Sequence, residues 1–112
     1  MELVFIKPLS VNECWQGRRF KTDKYKKYEN DVLFLLPKIS LPSPPYTLEL
    51  TFGLSSVLSD IDNPVKPFVD IMQKKYLFND KEIHQAVIKK ELVKKGKEYI
   101  AFEIKHYNKI NP

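Results

Sequence analysis

"YTLELTFGLSSVLSDIDNPVKPFVDIMQKKYLFND", residues 46–80, carries two hydrophobic periods in succession, and they decide the fold. In its first nine residues Leu48, Leu50 and Phe52 alternate with Glu49 and Thr51, the period of two that a half-buried strand requires. Farther on, Val65, Phe68, Val69 and Met72 recur at helical spacing, and Tyr76 extends the stripe. Lys66, Asp70, Gln73 and Lys74 fall on the other side of that helix. Asn63 is the expected cap and Pro64 the expected first helical residue. Pro67 sits in the first turn, where its missing N–H removes at most one hydrogen bond.

The flanking chain fits around this pair. "ELVFIKPL" reads as a first strand ending at Pro8. "VNECWQGRRFKT" reads as a loop, with Gly17 permitting a turn and Thr22 available to cap a helix. From Tyr25 the spacing of Tyr28, Val32, Leu35 and Leu36 predicts that helix, closed by Pro37. "PKISLPSPPY" holds four of the eight prolines and is an extended connector within one domain, residues 1–112. In the last third, "IHQAVIKKELV" and "EYIAFEIKHY" flank a turn at Gly96, predicting a β-hairpin. The order β-α-β-α-β-β implies an α+β fold with two main helices packed on a small mixed sheet.

Composition removes several classes of function. The chain is 43% apolar and 29% charged, ordinary for a globular domain. It has no apolar run of about 18 residues, and its N-terminus lacks the basic and apolar regions of a secretory signal. Cys14 is the single cysteine, which fits a reducing compartment, so a cytoplasmic protein with no membrane association is expected. Three glycines allow neither a P-loop nor a dinucleotide fingerprint. Cys14, His84 and His106 do not have zinc-site spacing, and the histidines read as ordinary residues of the expected hairpin.

The charges are more informative. The net charge is +5, yet Asp60, Asp62, Asp70 and Asp80 are concentrated between residues 59 and 80. In an extended segment Asp60 and Asp62 would point the same way, and two such carboxylates repel unless a cation lies between them. Hard oxygen ligands without nearby histidine or cysteine select magnesium, manganese or calcium, and no EF-hand loop is present. The plainer reading makes Asp60 and Asp62 loop residues near a helix N-terminus, with Lys66 paired to Asp62 and Asp70 and Asp80 in a turn. The cations cluster too. "RRFKTDKYKKY" holds six, interleaved with Phe20, Tyr25 and Tyr28, and Lys89, Lys90, Lys94, Lys95 and Lys97 surround the last turn. Tyr25 and Tyr28 fit a core stripe, whereas Arg18 and Arg19, in a loop, suit phosphate.

Taken as one unit, D-I-D-N-P-V-K-P-F-V-D-I-M followed by F-N-D resembles the RusA family of Holliday junction resolvases, found in bacteria and their prophages. That family is marked by D-x-D-N-x-x-K-x-x-x-D-x-L and a further acid after the helix. Met72 replaces the leucine here. "PLSVN" is similar to the family's P-P-S-x-N, and "GRRFKT" through "YKKYENDV" follows its pattern, so the resemblance covers nearly the whole chain. It implies a homodimeric, magnesium-dependent endonuclease, with manganese as a possible substitute, that resolves four-way DNA junctions by paired symmetric nicks. It implies Asp60, Asp62 and Asp80 as catalytic acids and metal ligands, Lys66 as a catalytic lysine, and Asn63 and Asp70 in support. The expected DNA contacts are Asn12, Arg18, Arg19 and Lys21 in the N-terminal third, then Lys66, Lys74 and Lys75 on the second helix.

Two positions depart from the pattern. Asn79 stands where many members carry a second acid, and "GLSSVLS" lacks arginines that some members have there. A helix from Pro64 to Leu77 would also measure about 21 Å. It separates Asp62 from Asp80 unless the chain folds back, the helix is shorter, or a partner subunit supplies Asp80. A catalytically silent branched-DNA-binding module, a broader flap or branch nuclease, and a protein that binds an acidic partner are the alternatives.

Overall fold

The computed structural model describes residues 1–109. In chain order it contains β1 (Glu2–Val4), a 3-10 turn (Val11–Glu13), β2 (Trp15–Gln16), β3 (Phe20–Lys21) and α1 (Asp23–Leu35). Then follow β4 (Tyr46–Leu54), α2 (Val65–Tyr76), a second 3-10 turn (Asp80–Glu82), β5 (Ile83–Leu92) and β6 (Tyr99–His106). The result is the expected α+β arrangement, a mixed sheet with two helices. It has one addition, a small hairpin of β2 and β3 inside the segment that reads as a loop.

The main sheet runs β1-β6-β4-β5, with β4 and β5 parallel and the other pairs antiparallel. This corrects the expected C-terminal hairpin, because β5 and β6 do not pair with each other and β4 lies between them. The reason lies in β4, whose residues are buried at seven of nine positions, so both of its edges must be covered. α2 returns the chain to the start of β4 and makes β5 parallel to it. The next segment then arches over the end of β4, where the Val93 N–H donates to the Leu54 carbonyl at 2.9 Å. Gly96 still turns the chain, at φ +90°.

One apolar cluster joins the sheet to both helices. Leu48, Leu50 and Phe52 contribute from β4, Ile100 and Phe102 from β6, and Tyr25, Tyr28 and Val32 from α1. Phe68 of α2 is fully buried and meets Phe52 and Phe102 edge-on at centroid distances of 6.2 and 5.8 Å. Burying such a ring contributes about 1.5–3 kcal/mol. The buried stripe of α2 is Pro67, Phe68, Ile71 and Met72, so Ile71 replaces Val65 and Val69, which are only partly covered. In α1, Leu36 is buried and Leu35 stands 42% exposed, because the helix stops at Leu35 and the chain turns. β1 is also shorter than expected, ending at Val4.

The helix ends position the functional residues. Thr22 caps α1 as expected, its hydroxyl accepting from the Tyr25 N–H at 3.1 Å. Asn63 does not cap α2: Pro64 occupies the cap position with no side-chain bond. The Asn63 carbonyl instead accepts from the Val11 N–H at 2.9 Å, tying the N-terminal segment to the entrance of α2. At its far end α2 stops at Leu77, which adopts a left-handed conformation (φ 58°, ψ 44°) and reverses the chain. Phe78 then returns to the core, edge-on to Tyr46 at 5.7 Å. Among the described residues no helix is long and apolar enough to cross a membrane.

Candidate active site around the second helix

Most of the motif residues line three depressions around α2. At its N-terminal end a cavity of about 310 Å³ is lined by Lys7, Ser10, Ser55, Asp60, Asn63 and Glu98, among others. Two segments about fifty residues apart in sequence meet here, "PLSVN" and "DIDN", held by the Val11–Asn63 hydrogen bond. Asp60 lines this cavity. Asp62, exposed, does not line it, because Ile61–Pro64 forms a turn and not the extended segment expected from the sequence. The two carboxylates therefore lack the shared direction that alternation would give them.

Farther along, one face of α2 carries a polar chain. Lys66 Nζ lies 3.3 Å from Asp70 Oδ1, one turn away, and Gln73 Nε2 reaches that same oxygen at 3.5 Å. Gln73 Oε1 accepts from the backbone N–H of Asp80 at 2.9 Å. The reversal at Leu77 thus folds Asp80 back beside the third turn of α2. It shares with Lys66 and Asp70 a groove of about 310 Å³ between α2 and strands β4 and β5. Lys66 and Gln73 are separated by about 10 Å of helix. Asp80 is consequently beside Asp70, not beside Asp60. Asn79, which stands where the resemblance leads one to expect an acid, caps the 3-10 turn that carries Asp80. Its side chain accepts from the Lys81 N–H at 2.9 Å, and its own N–H donates to Glu82 at 3.0 Å.

The third depression, about 300 Å³, lies between α2 and the β2–β3 hairpin and is lined by Trp15, Lys21, Glu29, Asp70, Gln73 and Lys74. Glu29 is its electrostatic centre, receiving Lys74 at 2.8 Å and Lys21 at 3.0 Å. Burial pushes the Glu29 carboxyl upward, but the hydrogen bonds from Lys74 and Lys21 outweigh it and hold the group below the usual carboxylate range. Lys75 donates to the Leu33 carbonyl at 3.3 Å. Lys74 and Lys75 therefore join α2 to α1 while keeping their stems at the surface. Asn12 is exposed in the first 3-10 turn, its N–H bonded to Ser10 Oγ at 3.2 Å. Arg18 and Arg19, exposed in the hairpin loop, form no ion pair among the described residues.

The donor set for a metal can be judged from these positions. Among the described residues no group of three or more His, Cys, Asp or Glu side chains is arranged to hold an ion. Asp60, Asp62 and Asp80 do not come together within the chain. The other carboxylates beside Asp60 are engaged: Glu98 accepts from Ser55 and from the Gly96 N–H, and Glu13 pairs with Lys24 at 2.6 Å. As arranged, this donor set does not fit a magnesium ion bound by all three expected acids.

Sequence spacing brought out Asp60, Asp62, Lys66, Asp70 and Asp80 but passed over Gln73 as a site residue. Its signal was available, since Gln73 lies one turn beyond Asp70 on the face shared with Lys66. No family model matches the chain, and no curated protein matches it.

Proposed function

We propose that the chain is a structure-selective endodeoxyribonuclease that resolves four-way DNA junctions by paired symmetric nicks, acting as a homodimer. The observation that carries this reading is the meeting of "PLSVN" with "DIDN" at the N-terminal end of α2, with Asp60 in the cavity they form. A structural role alone does not require that two polar segments so distant in sequence assemble beside a polar row of exposed Lys66 and half-buried Asp70 and Gln73. The net charge of +5 suits a polyanionic substrate. Lys66 is 70% exposed, and in the proposed reaction its cation would stabilise charge developing on a phosphate oxygen. Asp60, Asp62 and Asp80 are the proposed catalytic acids. Since one chain does not bring all three together, Asp80 is proposed to come from the partner subunit of the homodimer. The resemblance to RusA resolvases carries the proposed requirement for magnesium or manganese.

The deciding experiment is cleavage of an end-labelled four-way junction beside a linear duplex of the same sequence, with magnesium and with chelator. It is run for the wild type, Asp60→Asn and Asp62→Asn. Symmetric nicks in the junction alone, lost in both variants and with chelator, are expected. Equal cutting of flaps would leave a broader branch nuclease. The second reading, a branched-DNA-binding module without catalysis, is favoured by one observation: Asp80 lies apart from Asp60. Tight junction binding without cutting under magnesium or manganese would establish it.

A further inference from the structure

The β2–β3 hairpin has a construction that the proposed chemistry does not use. Trp15 faces Lys21 across it and Gln16 faces Phe20. Strand alternation puts the first pair on one side and the second on the other. The Trp15–Lys21 side is docked: Trp15 meets Tyr25 edge-on at 5.8 Å, Lys21 Nζ lies 5.3 Å from the same ring, and Lys21 also pairs with Glu29. The Gln16–Phe20 side faces solvent, and Phe20 is 72% exposed. Between the strands lie Gly17, at φ +65° where a side chain would be strained, and Arg18 and Arg19, with their charges unpaired among the described residues.

The base of this arm is fixed. The Thr22 N–H donates to the buried Cys14 at its carbonyl (2.9 Å), and the Thr22 hydroxyl donates to the Glu13 carbonyl at 2.7 Å. Burial pushes the Cys14 thiol up to about 11, with Glu13 and Asp70 adding to the effect, so it remains a neutral packing group. An aromatic ring held outward on an anchored arm, beside two free guanidiniums, has the composition of a platform for unpaired bases. The ring supplies a stacking face for any base, and the arginines supply phosphate contacts. The arm also forms one wall of the groove whose other wall carries Asp70, Gln73 and Lys74.

We propose that this hairpin stacks Phe20 on an unpaired base at a DNA branch point, with Arg18 and Arg19 on the flanking phosphates. The proposal rests on the DNA reading above and adds a branch-sensing contact outside the acidic site. Its test is equilibrium binding of the full chain, in chelator so that no strand is cut, to a four-way junction and a flap with unpaired bases, beside a fully paired duplex. Phe20→Ala is expected to weaken branched-DNA binding by roughly 10- to 100-fold, to leave duplex binding and thermal stability unchanged, and to be rescued by Phe20→Trp. Arg18→Ala with Arg19→Ala is expected to weaken binding to all three DNAs and flatten the salt dependence. Equal loss on duplex and branch, or no loss on either, would overturn the stacking role alone. So would loss of dimer with DNA binding intact, which would assign Phe20 to a contact between copies. A wild-type chain that binds none of the three DNAs would remove the DNA reading itself.

Discussion

At the scale of single residues, Gln73 holds the most consequential position that the spacing did not single out. Its amide oxygen takes the Asp80 N–H while its nitrogen turns to Asp70 and to the Val69 carbonyl. One side chain therefore links two acids ten residues apart in sequence. An unsupported 3-10 turn after a helix reversal would have few constraints of its own; this bond provides one. Gln73→Ala is expected to speed hydrogen exchange of the Asp80 amide about tenfold while costing about 1 kcal/mol of global stability. Unchanged exchange at Asp80 would mean that the turn holds itself through the Asn79 cap. Asn79 shows the same lesson from the other side, since a departure from the resembled pattern has a local structural use.

At the scale of elements, the contact between α1 and α2 depends on charge as well as on the apolar seam. Glu29 of α1 is 16% exposed and shared by Lys74 of α2 and Lys21 of β3. Because its folded pKa lies below that of the unfolded chain, the stability it contributes is fully present above the usual carboxylate range. That contribution is lost as pH falls through the folded value. Denaturant melts from pH 7 down to pH 3 are expected to show this loss. Glu29→Gln should remove that part of the pH dependence and cost about 1–2 kcal/mol at pH 7. A variant as pH-sensitive as the wild type would place the acid sensitivity elsewhere. On the opposite face of the sheet, Tyr99 lies across Gly53 so closely that an added Cβ would sit 2.4 Å from its ring, and its hydroxyl bonds Glu91. That contact is one reason β4 carries a glycine at a strand position.

At the scale of the whole molecule, the sheet has one covered face and an open edge. β5 is ten residues long and, among the described residues, pairs through one side alone, with β4. A free edge of that length is a surface proteins usually protect, and lysines such as Lys89 and Lys90 are one way to do so. The proposed paired nicks require two catalytic centres related by a two-fold axis. Light scattering at micromolar concentration is expected to return twice the chain mass of 13.2 kDa. A monomer at every concentration would remove the paired-nick part of the proposal and leave the fold untouched.

The sequence by itself determined β4, both helices, the Thr22 cap and the turn at Gly96. Each follows from the period of its own apolar residues or from a local backbone preference, information contained within one element. It also marked Asp60, Asp62, Lys66, Asp70 and Asp80 as a group. Which strand lies beside β4 was not legible, because β5 and β6 have hairpin-like spacing whether or not a third strand passes between them. The burial of both β4 edges decided that. The directions of the acids were not legible either. A turn at Ile61–Pro64 separated Asp60 from Asp62, and the reversal at Leu77 with the Gln73 bond set Asp80 beside Asp70. Spacing along a chain fixes side-chain direction only inside a regular element, and these acids lie at the junctions between elements, where tertiary hydrogen bonds and packing choose the path.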